Sequence, residues 1–356
     1  MKIGYYKVAL IFFISGLSIA AYGQSFNGLD IVKHDTSYIR VYRDELTTRV
    51  YLSRKQNGYN LSQNVFSPWL RYKTNDNLLL GIGYTYSFLT INLGVKMPFI
   101  NNDDEKYGKS TYTDLSLHGI FRSVIVDLYL QWNKGYYLAN PEDLIPDWST
   151  NQGYPLRGDL RSNIVGVNVQ YLFNSSRYSY KAAFFQNEFQ KKSAGSPIIG
   201  FEGHWMMGIT DSAMVAPSIP PSGFLDDVPF NQVDIFNMGI NGGYAYTFVW
   251  KEKLYLSLSL TVGFSGAKNI VHYSNSSTTY WNGLTVGLTT SSRISLGYNS
   301  NAYYVGLSST YFSMRNMVWG QGDWFSYNTG NIRLNLVKRF RLKRPIKILR
   351  PDLWIF

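Results

Sequence analysis

A transmembrane antiparallel up-and-down β-barrel is the fold class that three observations predict. Long runs of the chain alternate apolar with small polar residues at a period of two, as in "LYLSLSLTVGFSG" at 254–266. Aromatic residues gather where those runs end, which is how the girdles of barrels form at a membrane–water boundary. Charge is scarce: 16% of residues are Asp, Glu, Lys or Arg and 17% are Phe, Trp or Tyr, whereas soluble domains carry roughly 25% charged residues.

The first 23 residues read as an export signal. Lys2 and Lys7 make a positive start, Val8 to Ala21 an apolar stretch, and Ala21 and Gly23 a small-residue cleavage site before Gln24. No other stretch is apolar for long enough to be a spanning helix. The chain has no cysteine, which excludes disulfides, thiolate metal sites and a Cys nucleophile. The formal charge of +11 drops by two once Lys2 and Lys7 leave. That surplus suits anionic lipid or lipopolysaccharide, and export argues against nucleic acid.

Residues 24–45 form a periplasmic lead-in, and the barrel is expected over 46–340. Its first runs lie at 46–54 and, ambiguously, at 65–74. Then "NLLLGIGYTY" sets Leu80, Ile82, Tyr84 and Tyr86 opposite Gly81, Gly83 and Thr85. In "FLTINLGVKM", Leu89, Ile91, Leu93, Val95 and Met97 oppose Thr90, Asn92, Gly94 and Lys96. A run at 110–120 follows. "VIVDLYLQW" sets Val124, Val126, Leu128, Leu130 and Trp132 against Asp127, Tyr129 and Gln131. "IVGVNVQYLF" sets Val165, Val167, Val169, Tyr171 and Phe173 against Gly166, Asn168 and Gln170. Further runs are expected at 177–189, 196–210, 233–249, 254–266, 279–297, 301–316 and 325–340. The count is about thirteen, and even parity makes it about 12 or 14.

The polar faces carry Gly, Ser, Thr, Asn and Gln with few charges, which fits a lumen better than a solvated sandwich face. Aromatics crowd the short turns: Tyr84 and Tyr86, Tyr171 and Phe173, Phe248 and Trp250, and Tyr298 with Tyr303 and Tyr304. Only closed barrels and helices span lipid without orphaned backbone groups, so the apolar face of 254–266 is expected to see lipid. The final run, with Gly330, Ile332, Leu334, Leu336 and terminal Phe340, has the form read by bacterial barrel-assembly machinery. A basic tail, 341–356, follows on the periplasmic side and is a candidate dock for a partner.

These phrases together resemble one known family. "YRDELTTRVYLSRK" (42–55), "LLLGIGYTYSFLTINLGVKMPF" (78–99), "LQWNKGYYLANP" (130–141), "YPLRGDLRSN" (154–163), "YSYKAAFFQNEFQKKSAGS" (178–196) and "GGYAYTFVWKEKLYLSLSL" (242–260) occur in its order. The chain is similar to exported proteins of Bacteroidota-type bacteria catalogued as domain of unknown function 4421. The resemblance implies an outer-membrane β-barrel of a Gram-negative bacterium and supplies no activity and no catalytic residues.

Candidate chemistry is sparse. Arg49, Lys96, Asp127, Lys181, Glu202, His204, Arg293 and Arg333 are expected on the lumen face, where they would set ion selectivity or form a plugging network. His272, Ser274 and Asn275 have the His-x-Ser-Asn order of outer-membrane lipid hydrolases, but no residue to orient the imidazole can be assigned. Glu202 and His204 alone are too few for a metal site. Acidic groups at Asp103–Glu105, Glu142–Asp147 and Asp226–Asp227 lack calcium-loop spacing. No cofactor is expected. The leading expectation is a non-enzymatic pore or envelope component, with a lipid-modifying hydrolase and a periplasmic docking barrel as the alternatives.

Overall fold

The structure is a computed structural model. It describes residues 34–42, 45–64, 69–76, 78–86, 89–97, 100, 103–215, 219, 229–274, 279–281, 284–318 and 322–343. The export signal, residues 24–33, Asp226 and Asp227, Asn275 and tail residues 344–356 lie outside the described residues.

The strands are β1 (Ile39–Val41), β2 (Glu45–Ser62), β3 (Leu70–Lys73), β4 (Leu78–Tyr86), β5 (Leu89–Lys96), β6 (Thr111–Ile120), β7 (Val124–Leu138) and β8 (Leu156–Leu172). They continue as β9 (Glu188–Gln190), β10 (Ala194–Ile209), β11 (Phe230–Trp250), β12 (Leu254–Tyr273), β13 (Thr279–Trp281), β14 (Thr285–Asn299), β15 (Tyr303–Met317) and β16 (Trp324–Arg341). Neighbours pair antiparallel, and β16 returns to β2 along its whole length, from Trp324 opposite Ser62 to Arg341 opposite Glu45. That pairing closes the sheet into a circuit, as a spanning barrel requires.

The closed circuit is smaller than the sequence suggested. Ten strands make it: β2, β3, β7, β8, β10, β11, β12, β14, β15 and β16. The ambiguous stretch 65–74 is the cause. It contributes β3, which pairs Gly58–Leu61 of β2 on one side and Tyr137–Leu138 of β7 on the other. Beyond that short bridge, β4 and β5 hang from β2, β6 hangs from β7, and β5 and β6 lie side by side. The run expected at 279–297 divides into β13 and β14.

The run at 177–189 is not a barrel strand. A short helix occupies it, α2 (Tyr180–Phe184), the second after α1 (Asp104–Tyr107). Ser179 caps α2 by accepting a hydrogen bond from the amide of Ala182 at 3.0 Å, a strong local signal before a Lys-Ala-Ala sequence of good helix formers. The chain then makes β9, which pairs with β1 in a separate two-stranded sheet.

The two faces of the wall differ as the alternation requires. Along β12, Leu254, Leu258, Leu260, Val262 and Phe264 point outward and are exposed, while Tyr255, Ser257, Ser259, Thr261 and Ser265 point inward and are buried. Cross-strand neighbours extend that apolar face around the wall. One row runs Phe248, Leu256, Leu296, Leu307, Leu334, Leu52, Leu80 and Val95 across eight successive strands. Another runs Val126, Val169, Phe201, Ile240, Phe264 and Leu288. A soluble monomer rarely exposes more than a few hundred Å² of contiguous apolar surface; a belt around a barrel is the arrangement lipid covers.

The two ends also differ. Three-residue or shorter turns join β4 to β5, β6 to β7, β11 to β12 and β14 to β15 at one end. The exposed aromatics Tyr84, Tyr171, Phe173, Phe248, Trp250, Tyr298, Tyr303 and Phe340 stand near that end. Tyr86 and Tyr304 do not join them: both are buried, and Tyr304 packs inside the barrel against Tyr255. Most long connections lie at the far end. The exception is the β8–β10 connection, which holds α2 and β9 and fills the short-turn end.

Candidate functional site

The interior is the place to look for function, and it is filled at three levels, between which inward Thr310 is exposed and Ser291, Thr329, Asn331 and Arg333 are part-exposed. At the short-turn end the β8–β10 connection forms a plug anchored at four points. Arg49 on β2 donates to the Phe185 carbonyl at 2.9 Å, and Arg339 on β16 donates to the Gln186 carbonyl at 3.0 and 2.6 Å. Tyr255 on β12 donates to the Ala183 carbonyl at 3.1 Å. Arg122, in the β6–β7 turn, grips Glu188 with two bonds of 2.9 and 2.8 Å, and Ser179 donates to the same carboxylate. Both charged partners are buried, so this is a bidentate ion pair away from solvent.

Above the plug lies a polar network. Arg293 on β14 reaches across the barrel to Asp127 on β7 at 2.6 Å, and His118 on β6 contacts the other carboxylate oxygen at 2.6 Å. The Arg293 guanidinium also lies 5.5 Å over the ring of Tyr180 on α2, which ties the network to the plug. One layer further, Asn241 donates to Glu202 at 2.8 Å and to Asn168 at 3.0 Å, while Gln170 donates to Asn241 at 3.0 Å and Thr289 donates to Glu202. His204 meets Asn237 at 3.3 Å and packs on the Phe312 ring. Next, the Tyr327 hydroxyl lies 3.1 Å from Asn57 and 3.0 Å from Gln131, Asn57 donates to Asn133, and Asn133 donates to Ser162. These bonds match the buried groups they join, as burial demands, while His204 Nε2 has no hydrogen-bond partner among the described residues.

The far end is apolar. Inward positions there are Tyr59, Leu61, Ile164, Met206, Ile235 and Phe325, all buried in one cluster. The β10–β11 connection folds over them: Met214 is fully buried, and its carbonyl accepts from Tyr72 at 3.1 Å and from Arg157 at 2.8 Å. The small-polar alternation on which the lumen was inferred therefore stops short of this end. "VDIF" at 233–236 marks the change, with Val233 and Ile235 taking inward positions.

Of the expected lumen residues, Arg49, Asp127, Glu202, His204 and Arg293 are inside and buried. Arg333 is inside, its guanidinium 4.2 Å over the Tyr51 ring. Lys96 is exposed at the far end of β5. Lys181 sits on α2 in the plug and not on a strand, because the segment carrying it leaves the wall. Gln131, Asn168 and Gln170 were legible as a polar face; Arg122, Glu188 and Arg339 were not singled out, since they come together only through the plug. Ile332, Leu334, Leu336 and Phe340 project outward from the closing strand. The acidic groups do not converge: among the described residues no set of three or more His, Cys, Asp or Glu is placed to hold a metal ion.

His272 is on the outward parity of β12 at its far end, and Ser274 is exposed in the turn that follows the strand. The neighbouring strand supplies an acid that spacing alone did not indicate: Asp234 Oδ2 lies 3.6 Å from His272 Nε2. Gln232 donates to the same carboxylate oxygen at 2.6 Å. The Ser274 amide donates to the Pro229 carbonyl at 2.9 Å.

A search of curated proteins returns no significant match. Among solved structures, the chain is similar to the outer membrane protease OmpT of Escherichia coli, with 8% identity, 84% of this chain and 98% of that chain covered, and a TM-score of 0.33. It is similar to the translocator domain of the autotransporter NalP from Neisseria meningitidis, with 9% identity, 94% and 98% covered, and a TM-score of 0.33. A FadL homologue of Pseudomonas aeruginosa matches at 8% identity, 83% and 90% covered, and a TM-score of 0.23. At such low scores none of those proteins' properties transfers to this chain. The family match is of another kind, since it runs over residues 33–340, from the lead-in through the last barrel strand. The chain belongs to the family described as Domain of unknown function (DUF4421).

Proposed function

We propose that this protein is an outer-membrane β-barrel with a closed interior, a structural or docking component of the cell envelope and not an open pore. The observation that carries the reading is the filling of the barrel at three levels: the anchored plug, the polar network and the apolar far-end core. The apolar belt supports placement in lipid. The short turns, the start of β2 and the end of β16 lie at the plug end, which is the periplasmic end in barrels of this kind. There the basic residues of 341–356 would meet an anionic envelope partner, and the closing strand would meet the assembly machinery during insertion.

Planar-bilayer recording of residues 24–356 tests the reading. Protein whose insertion is verified by protease protection is expected to give no conductance steps. Reproducible steps that change with ion type would overturn it and return Asp127, Glu202 and Arg293 to the role of selectivity residues.

One observation favours a second reading, a lipid-facing hydrolase. Asp234 stands beside His272, two residues before Ser274 in sequence, so a group able to orient the imidazole is present. The closed-barrel reading expects phospholipid and lipid A hydrolysis at the background rate, identical in the native chain and in Ser274→Ala. Turnover above background that Ser274→Ala abolishes would decide for the hydrolase.

A further inference from the structure

The outer wall is not smooth. A hollow of about 400 Å³ opens on the outer surface where β2, β3, β15 and β16 meet. Its floor exists because two outward positions have no side chain, Gly58 on β2 and Gly330 on β16, with Asn328 paired opposite Gly58. Neither glycine is forced by crowding. A Cβ at Gly58 would find its nearest neighbour at 3.7 Å and one at Gly330 at 3.6 Å, which is ordinary contact. These glycines leave room on the wall.

The charges around the room are unbalanced. Arg71 and Lys73 on β3 and Arg315 on β15 line the hollow and are exposed. The Arg315 guanidinium lies 5.7 Å over the ring of Trp69, which holds it at the rim. One acid faces these three cations, Asp76 in the β3–β4 connection. Burial pushes its carboxyl up to about 6, against the opposing pull of Arg54 and Lys73.

Position selects the kind of anion. The outward residues that follow Gly330 toward the short-turn end are Ile332, Leu334 and Leu336; those beside them are Leu307 and Val305, all exposed and part of the belt. The hollow therefore begins where the apolar wall stops. A soluble anion has no use for that adjacency, whereas a lipid has its charge and its chains joined at such a boundary.

We propose that this hollow binds the phosphate-bearing headgroup of a membrane lipid whose acyl chains lie along the belt, with Arg71, Lys73 and Arg315 on the phosphate. The proposal rests on the reading of the chain as a membrane barrel. Two phosphate contacts from guanidinium groups give direction as well as charge, and the Trp69 ring offers an amphipathic surface at the interface.

The test uses the full chain in non-ionic detergent micelles doped with diphosphorylated lipid A, with lipid adducts counted by native mass spectrometry. One saturable adduct per barrel is expected. Arg71→Ala, Lys73→Ala and Arg315→Ala together are expected to weaken it at least about tenfold. Gly58→Leu with Gly330→Leu keeps every charge and fills the hollow, and a similar loss is expected. Phosphatidylcholine is expected to give no saturable adduct, and millimolar inorganic phosphate is expected not to displace lipid A. Adducts unchanged in both variants would overturn the proposal, and displacement by inorganic phosphate would make this a free-anion site. Failure of the membrane reading has a different signature: the chain would stay monodisperse without detergent and would not insert into vesicles. Heat-dependent gel migration confirms that each variant is folded.

Discussion

Asp127→Ala is expected to lower the unfolding free energy by about 3–5 kcal/mol, the range for breaking a buried charge pair by removing one partner. Asp127 is fully buried and Arg293 nearly so, joined at 2.6 Å across the barrel. The alanine leaves the guanidinium in the interior with the Tyr129 hydroxyl at 3.4 Å and the Tyr180 ring in place of a carboxylate. It also removes the group that His118 contacts. Asp127→Asn keeps the shape and one acceptor, so a smaller loss is expected. Replacing both charges, Asp127→Leu with Arg293→Met, removes the desolvation cost along with the attraction. That double variant is expected to be more stable than Asp127→Ala, with a coupling of roughly 1–3 kcal/mol. Guanidinium titration in micelles, followed by heat-dependent gel migration, checks all three. A loss below about 1 kcal/mol for Asp127→Ala would mean that the pair is hydrated and that the interior is wetter than its packing indicates.

Asp127 was legible as an inward residue, because the alternation through "VIVDLYLQW" sets it on the polar face. Its partner was not. Arg293 lies 166 residues away in a different strand, and period two specifies a face without specifying what stands across the lumen. The same limit explains the far end. Alternation tells inward from outward only while the two faces differ in polarity, and at Val233 and Ile235 the inward face turns apolar too. The plug was misread for a related reason. "YSYKAAFFQNEFQ" contains enough aromatics to pass for a strand, and the Ser179 cap that starts its short helix was not read. Strand number failed on one small element, since the four residues of β3 close the circuit that β4, β5 and β6 were expected to complete. What the pattern did carry was the wall: the outward row from Phe248 to Val95 consists of residues whose alternation is local. The hollow beside it was invisible, because glycines on ladder pairs two residues apart, in strands far apart in sequence, have no common signature.

Opening the plug is the second large effect, and Glu188→Ala is the substitution that should produce it. The alanine strands the buried Arg122 guanidinium and frees the Ser179 hydroxyl, so the local cost falls again at about 3–5 kcal/mol. The strand ladders do not pass through Glu188, whose only pairing is to β1. The loss is therefore expected in local opening of 174–193 and not in the barrel's own melting. Trypsin reads that opening at Lys181, Lys191 and Lys192: with rapid reclosing, cleavage tracks the open population, and even 3 kcal/mol raises it about 100-fold. Glu188→Gln retains an acceptor for Arg122 and is expected to fall between. The remaining anchors, Arg49 on Phe185, Arg339 on Gln186 and Tyr255 on Ala183, still hold the segment by its carbonyls. Adding Arg339→Ala to Glu188→Ala is therefore expected to raise cleavage further, while either chain stays silent in a planar bilayer. Silence follows because the far-end core, from Tyr59 and Leu61 to Met214 and Phe325, is independent of the plug. An apolar constriction of that kind stays closed to ions unless its own side chains move. Conductance that arises when the plug alone is loosened would show instead that the far end yields, and that the barrel is a channel gated from its short-turn end.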